Sequence, residues 1–224
     1  MIESNATNKV NGLTLLSKMP TKSVACVFFD PQYRGVLDKL KYGNEGKSRG
    51  KERSALPQMD EDTIIKFIQL IYKCLKPDGY LFLWVDRFEL CKGIQRWLHK
   101  TSFKIVDLIV WNKERMGMGY RTRHISEYLV VIQKPPCRAK ATWKNHSIKD
   151  IWDEKITTKN HTHSKPIELQ KTLILCVTDE GDTVADFASG GYSVLQACKE
   201  TNRKFVGGDI LFGETWEEWM NIHR

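Results

Sequence analysis

A chain of 224 residues, 41% hydrophobic and 28% charged, is sized for one globular domain with a substantial core. Its apolar runs are too short to span a bilayer, and the polar stretch MIESNATNKV lacks the apolar centre of a secretion signal, so a cytoplasmic protein with no membrane span is expected. The net charge of +8 gathers in two segments, seven basic and three acidic residues over 34–59 and eight against two over 113–144; such segments suit a polyanion such as nucleic acid, and they equally suit a pair of solvated loops.

In chain order, residues 13–19 (LTLLSKM) predict a short amphipathic helix closed by Pro20. Val24 to Phe29 is an apolar run without helical period, the mark of a buried strand in a parallel sheet. Pro31 pushes the residue before it towards extended geometry, so Asp30 stands at the strand's carboxyl end, where open α/β sheets bind ligands. Residues 34–57, rich in Gly and Lys, read as a long mobile loop, and loops of that length are usually functional. Asp60 can cap a helix that Pro77 and Gly79 end, and YLFLWV is the next buried strand. Residues 89–100 predict a helix, VDLIVWNK and EYLVVIQK two strands, and SKPIELQKTLILCV a helix that accommodates Pro166 in its first turn. The stretch 182–210 reads strand, glycine turn, helix, strand, and GETWEEWM a terminal helix whose Trp216 and Trp219 serve core or dimer packing. Alternating strands and helices mean an α/β sheet covered on both faces.

The six cysteines form no C-x-x-C pair, which fits reduced thiols rather than disulfides or zinc. His161 and His163 have no Cys or acid at ligand spacing, and no metal is expected.

Two places point to chemistry. VADFASGG is a strand emptying into a small-residue turn before a helix, which brings backbone N–H groups to a ligand. Asp209 ends the next strand about 20 residues on, where an acid commonly receives ribose hydroxyls. Tight packing alone would also require small residues there. The second place is Asp30-Pro31-Gln32-Tyr33, and with it the chain resembles the β-class DNA amino-methyltransferases, whose adenine-N6 members usually carry D-P-P-Y. The resemblance continues through LKPDGYLFLW, IVWNKERMGMGYRTRHISEYLVVIQK, Ser164-Lys165-Pro166 with Leu169, Asp186 to Gly191, and Gly207 to Ile210. It includes the lead-in NGLTLLSKMPTKSV, with Asn11 where the family has an aspartate. It spans nearly the whole chain in the family's order. Gln32 replaces the second proline, and the glycine turn has lost a proline and shifted its glycines.

The resemblance implies a Rossmann-like fold with a mixed, mostly parallel sheet, S-adenosylmethionine as cofactor, and double-stranded DNA as partner. Its division of the chain is a catalytic half 1–134, a short target-recognition segment 135–163 and a cofactor half 164–224. Asp30, Pro31, Gln32 and Tyr33 are the implied catalytic set. Asn11, Asp30, Lys165, Asp186, Phe187, Ala188, Ser189, Gly190, Gly191 and Asp209 are the implied cofactor set, although Lys165 could instead only cover its helix start. Lys47, Arg49, Lys51, Arg53, Arg121 and Arg123 are the basic residues placed to meet DNA. Asp30 and the Pro31 carbonyl would each accept a hydrogen of adenine N6, freeing a lone pair otherwise delocalised into the ring, and Tyr33 would offer a ring to the flipped base. Cytosine-N4 transfer, an RNA substrate, and a degenerate non-catalytic partner subunit are the alternatives. A homodimer, or a partner methyltransferase or restriction subunit, stays open.

Overall fold

All six residues of β2 (Val24–Phe29) are buried, and from Cys26 onward they alternate between two cores. Val27 and Phe29 face one apolar cluster, Cys26 and Phe28 the other. This is the arrangement a strand covered on both sides requires, and it explains why the run carries no polar residue. The computed structural model describes residues 4–33, 58–117, 121–157 and 164–214.

Eight strands form one sheet in the order β1-β8-β7-β2-β3-β5-β4-β6. They are β1 (Asn8–Lys9), β2, β3 (Leu75–Val85), β4 (Lys104–Asn112), β5 (Ser126–Gln133), β6 (Ile151–Asp153), β7 (Thr183–Asp186) and β8 (Lys204–Asp209). Among the described residues only β5 runs against its neighbours, β3 and β4, and every other pairing is parallel. One face is covered by α1 (Gly12–Lys18), α2 (Glu61–Cys74) and α4 (Gln95–Leu98), the other by α6 (Ile167–Val177) and α7 (Ser193–Glu200). The expected mixed, mostly parallel α/β sheet is therefore present. Among the described residues no helix is long and apolar enough to cross a membrane.

The elements begin and end for local reasons. Asp60 accepts the Thr63 amide N–H at 2.8 Å and caps α2. That helix stops at Cys74, short of Pro77, because the chain passes directly into β3, where Leu75 pairs with Val24. The single helix predicted over 89–100 is instead two, α3 (Arg87–Lys92) and α4. Gly93, with φ of +90°, separates them in a conformation that favours glycine. Residues 135–157 supply α5 (Ala139–Thr142) and the edge strand β6, and Trp143, Ile148, Trp152 and Ile156 pack onto the second core.

The loop 34–57, with Lys47, Arg49, Lys51 and Arg53, lies outside the described residues, as do His161, His163 and the terminal tryptophans.

Candidate active site

Parallel strands bring their carboxyl ends to one edge of the sheet, and here the four adjacent strands β8, β7, β2 and β3 each deliver an aspartate. Asp30 follows β2, Asp86 follows β3, Asp186 ends β7 and Asp209 ends β8. Asp86 is spent on structure, since its Oδ1 accepts the Phe88 and Glu89 N–H groups at 2.8 Å and caps α3. The other three line a cavity of about 640 Å³.

Asn11, Gln32, Lys165 and the turn from Phe187 to Gly191 also line this cavity. Pro31 is buried and Tyr33 half-buried, and neither is among the lining residues. The Tyr33 ring lies 5.6 Å from that of Trp97, and its hydroxyl accepts the Asp86 backbone N–H at 2.6 Å. Burial and the Asp86 carboxylate hold that hydroxyl well above its ordinary pKa, so it stays protonated. The Gln32 carbonyl accepts the Met59 N–H at 2.5 Å, which ties the tetrapeptide to the lead-in of α2.

Asn11 caps α1, its Oδ1 accepting the N–H groups of Leu13 and Thr14 at 2.9 and 3.3 Å. The next residue carries a role that sequence reasoning missed. A Cβ on Gly12 would stand 2.1 Å from the Phe187 carbonyl oxygen and 2.8 Å from the Phe67 ring. Glycine is what lets α1 meet the turn after β7, and its place in N-G-L was the available signal.

That turn is knitted internally. Ala188 donates its N–H to Asp186 Oδ1 at 3.1 Å, and Ser189 Oγ donates to the Asp186 carbonyl at 2.8 Å. Gly190 takes φ of +48°, and Tyr192 is left-handed at +56°. The Tyr192 hydroxyl is within 2.7 Å of the Asn8 carbonyl and 3.0 Å of that of Phe212, fixing the strained residue between β1 and the end of β8. Burial raises the Asp186 carboxyl to about 7; the Ala188 N–H works against that, and the charges of Asp30 and Asp209 add to it.

Lys165 is the cation at the centre, its side chain 13% exposed. Its Nζ lies 3.0 Å from Asp30 Oδ2, 2.8 Å from Glu127 Oε2 and 4.8 Å from the Trp84 ring centre. The residue's position depends on α6, which starts at Ile167 after Pro166 and has no side-chain cap of its own. Glu154, just past β6, supplies one: its carboxylate accepts the Glu168 and Leu169 N–H groups at 3.1 and 2.9 Å, and the Trp152 indole at 2.8 Å. Glu127 was read from sequence only as part of the family-like segment 109–134, with no role, and Glu154 not at all, because each acts on residues that only the fold brings near.

Arg121 and Arg123 are exposed in the β4–β5 connection and do not line the cavity. Arg87 Nη1 reaches Thr122 Oγ1 at 3.4 Å. Among the described residues no cluster of three or more His, Cys, Asp or Glu is placed to hold a metal ion.

The DNA methylase family model of the N6/N4 type matches residues 24–212. The chain is 58% identical over 215 residues to the Type II methyltransferase M.HhaII of Haemophilus parahaemolyticus, covering 96% of this chain and 94% of the relative. Its fold is similar to that of M1.HpyAVI in complex with S-adenosylmethionine, with a TM-score of 0.64, 16% identity and 96% of each chain covered. It is also similar to the cytosine-N4-specific PvuII DNA methyltransferase, with a TM-score of 0.66, 15% identity, and 93% of this chain and 85% of that one covered.

Proposed function

The chain belongs to the N6/N4 DNA methylase family, and we propose that it methylates adenine N6 in duplex DNA from S-adenosylmethionine, as the modification enzyme of a restriction system. The observation that carries the choice of base is Asp30: a carboxylate lines the cavity at the end of β2, where cytosine-N4 members normally carry serine.

The donor set fits the cofactor. Six carboxylates (Asp30, Glu154, Glu168, Asp186, Glu200 and Asp209) and two lysines (Lys155 and Lys165) line the cavity, an excess of negative charge that favours a cationic ligand. Asp186, an acid that burial holds near 7, suits the ammonium end of S-adenosylmethionine. Asp209 suits the ribose hydroxyls, and the turn from Phe187 to Gly191 gives close approach to backbone. When bound, the cofactor supplies a methyl group activated by a sulfonium.

The chain's own residues do the rest. Asp30 Oδ2 is pinned by Lys165, which leaves Oδ1 to accept one hydrogen of the target amine. The Pro31 carbonyl is the second acceptor. Drawing both hydrogens aside localises the nitrogen lone pair, and Asp30 is where the amine's surplus proton passes once nitrogen has gained the methyl. Phe29, Trp84 and Phe187 wall the cavity with apolar rings, which strengthens these hydrogen bonds. Arg121, Arg123 and the basic run 47–53 are assigned to the DNA backbone, with residues 135–163 as the target-recognition segment.

Asp30→Ala tests the assignment. Methyl transfer to duplex DNA should be lost while the chain stays folded; a folded variant with full activity would remove Asp30 from the mechanism.

A further inference from the structure

Glu127 lies near the start of β5, the one antiparallel strand, so it arrives at the edge of the sheet where β2 and β3 end. There its Oε2 lies 2.8 Å from Lys165 Nζ, and its Oε1 lies 3.3 Å from Lys113 Nζ. A lysine ammonium on a flexible stem has no fixed direction of its own. Held between Glu127 and Asp30, with the Trp84 ring beside it, this one does. Burial opposes the charge on Lys165, and Asp30 and Glu127 more than offset it, so its pKa is raised. Burial also pushes Glu127 up, and Lys165 with Lys113 outweighs that, holding it at about 2.

Asp186 and Tyr33 also sense the Asp30 charge, and neither is a cation. Orientation of Asp30 therefore falls to Lys165, and orientation of Lys165 to Glu127. With Glu127 neutral, the ammonium would be free to swing wholly onto Asp30 and occupy both its oxygens.

We propose that Glu127 is a positioning residue for methyl transfer: it anchors Lys165, which in turn fixes Oδ2 of Asp30 and leaves Oδ1 for the target amine. This rests on the reading of Asp30 as the amine's acceptor. Glu127→Gln keeps the shape of the side chain and removes its charge.

In the full chain, Glu127→Gln should lower turnover about ten- to hundredfold, as loss of a supporting partner typically does. Calorimetric affinity for S-adenosylmethionine should stay within about threefold, since the loss belongs to the chemical step. In a Lys165→Met background the same change should cost nothing further, because its intermediary is gone. Independently of activity, ¹⁵N NMR of the ligand-free chain should show the Lys165 ammonium titrating at lower pH in Glu127→Gln than in the parent. Unchanged turnover, losses that multiply with Lys165→Met, or an unmoved lysine titration would each overturn the proposal. Lost cofactor affinity with turnover intact would also overturn it, placing Glu127 at the cofactor. Identifying the methylated nucleoside in the same assay keeps the two readings apart: N4-methylcytosine would refute the adenine reading, while the Glu127 comparisons still decide their own question.

Discussion

Oδ2 of Asp209 accepts the backbone N–H of Gly190 at 3.0 Å, joining the end of β8 to the turn that leads into α7. Its Oδ1 accepts the N–H groups of Leu211 and Phe212 at 2.8 and 3.1 Å. A carboxylate offers about four acceptor sites, so roughly one is left for a ribose hydroxyl. Asp209→Ala should lower affinity for S-adenosylmethionine at least about tenfold, the worth of one hydrogen bond to a charged group. It should also lower the melting temperature, since three backbone donors lose their acceptor. Calorimetry showing unchanged affinity would leave Asp209 a purely structural residue.

Lys134 stabilises the fold at a distance from the cavity. It is 8% exposed, and its Nζ donates to the carbonyls of Tyr72 and Leu75 at 2.5 and 2.7 Å, 4.5 Å from the Tyr72 ring centre. These carbonyls close α2, where a helix end favours a cation. Lys134→Met fills similar space and leaves both carbonyls without this donor, at a cost of about 1–3 kcal/mol. Urea unfolding should show that loss, with methyl transfer by the folded fraction unchanged. An unaltered midpoint would mean the lysine contributes packing alone.

Much of this fold is legible in the sequence because its strands are buried on both faces. VACVFF and YLFLWV cannot be surface segments, and Asp60 marks the start of the helix between them; its end was misplaced, because Pro77 and Gly79 lie inside β3. Gly93 was the visible clue to the break between α3 and α4, but a lone glycine is tolerated within many helices. The site was legible where it follows strand ends, at Asp30, Asp186 and Asp209. It was illegible where tertiary pairing decides. Glu154 caps a helix 14 residues onward, and Glu127 meets Lys165 across 38 positions. Tyr33 reads as a stacking ring in the tetrapeptide; in the fold it packs on Trp97 and holds the Asp86 N–H.

Asp186 gives the protein a pH dependence of defined sign. In an unfolded chain an aspartate is ionised above about 4, whereas burial keeps this one protonated up to about 7. Between those values the folded state binds more protons, so Asp186 makes stability fall as pH rises, levelling above 7. Affinity for a cationic ligand should run the other way, rising as the carboxylate forms. Melting and calorimetric titrations from pH 5 to 8, compared with Asp186→Asn, should show both trends in the parent and lose them in the variant. Parallel profiles for the two proteins would remove Asp186 from either role.

For the basic run 47–53, charge alone supports a prediction. Replacing Lys47, Arg49, Lys51 and Arg53 with alanine should weaken DNA binding and flatten its salt dependence, by about 0.9 in log–log slope for each phosphate the variant no longer neutralises. Affinity for S-adenosylmethionine should hold. Identical salt slopes would move the DNA footprint to the second basic segment, with Arg121 and Arg123.

The identity of the methylated base tests the account at its centre. Purified chain, labelled S-adenosylmethionine and duplex DNA containing all four bases would be incubated together, and the DNA digested to nucleosides and separated. With Asp30 as acceptor at the end of β2, the label should appear in N6-methyladenine. Label in N4-methylcytosine, or none from a folded chain that binds the cofactor, would contradict it.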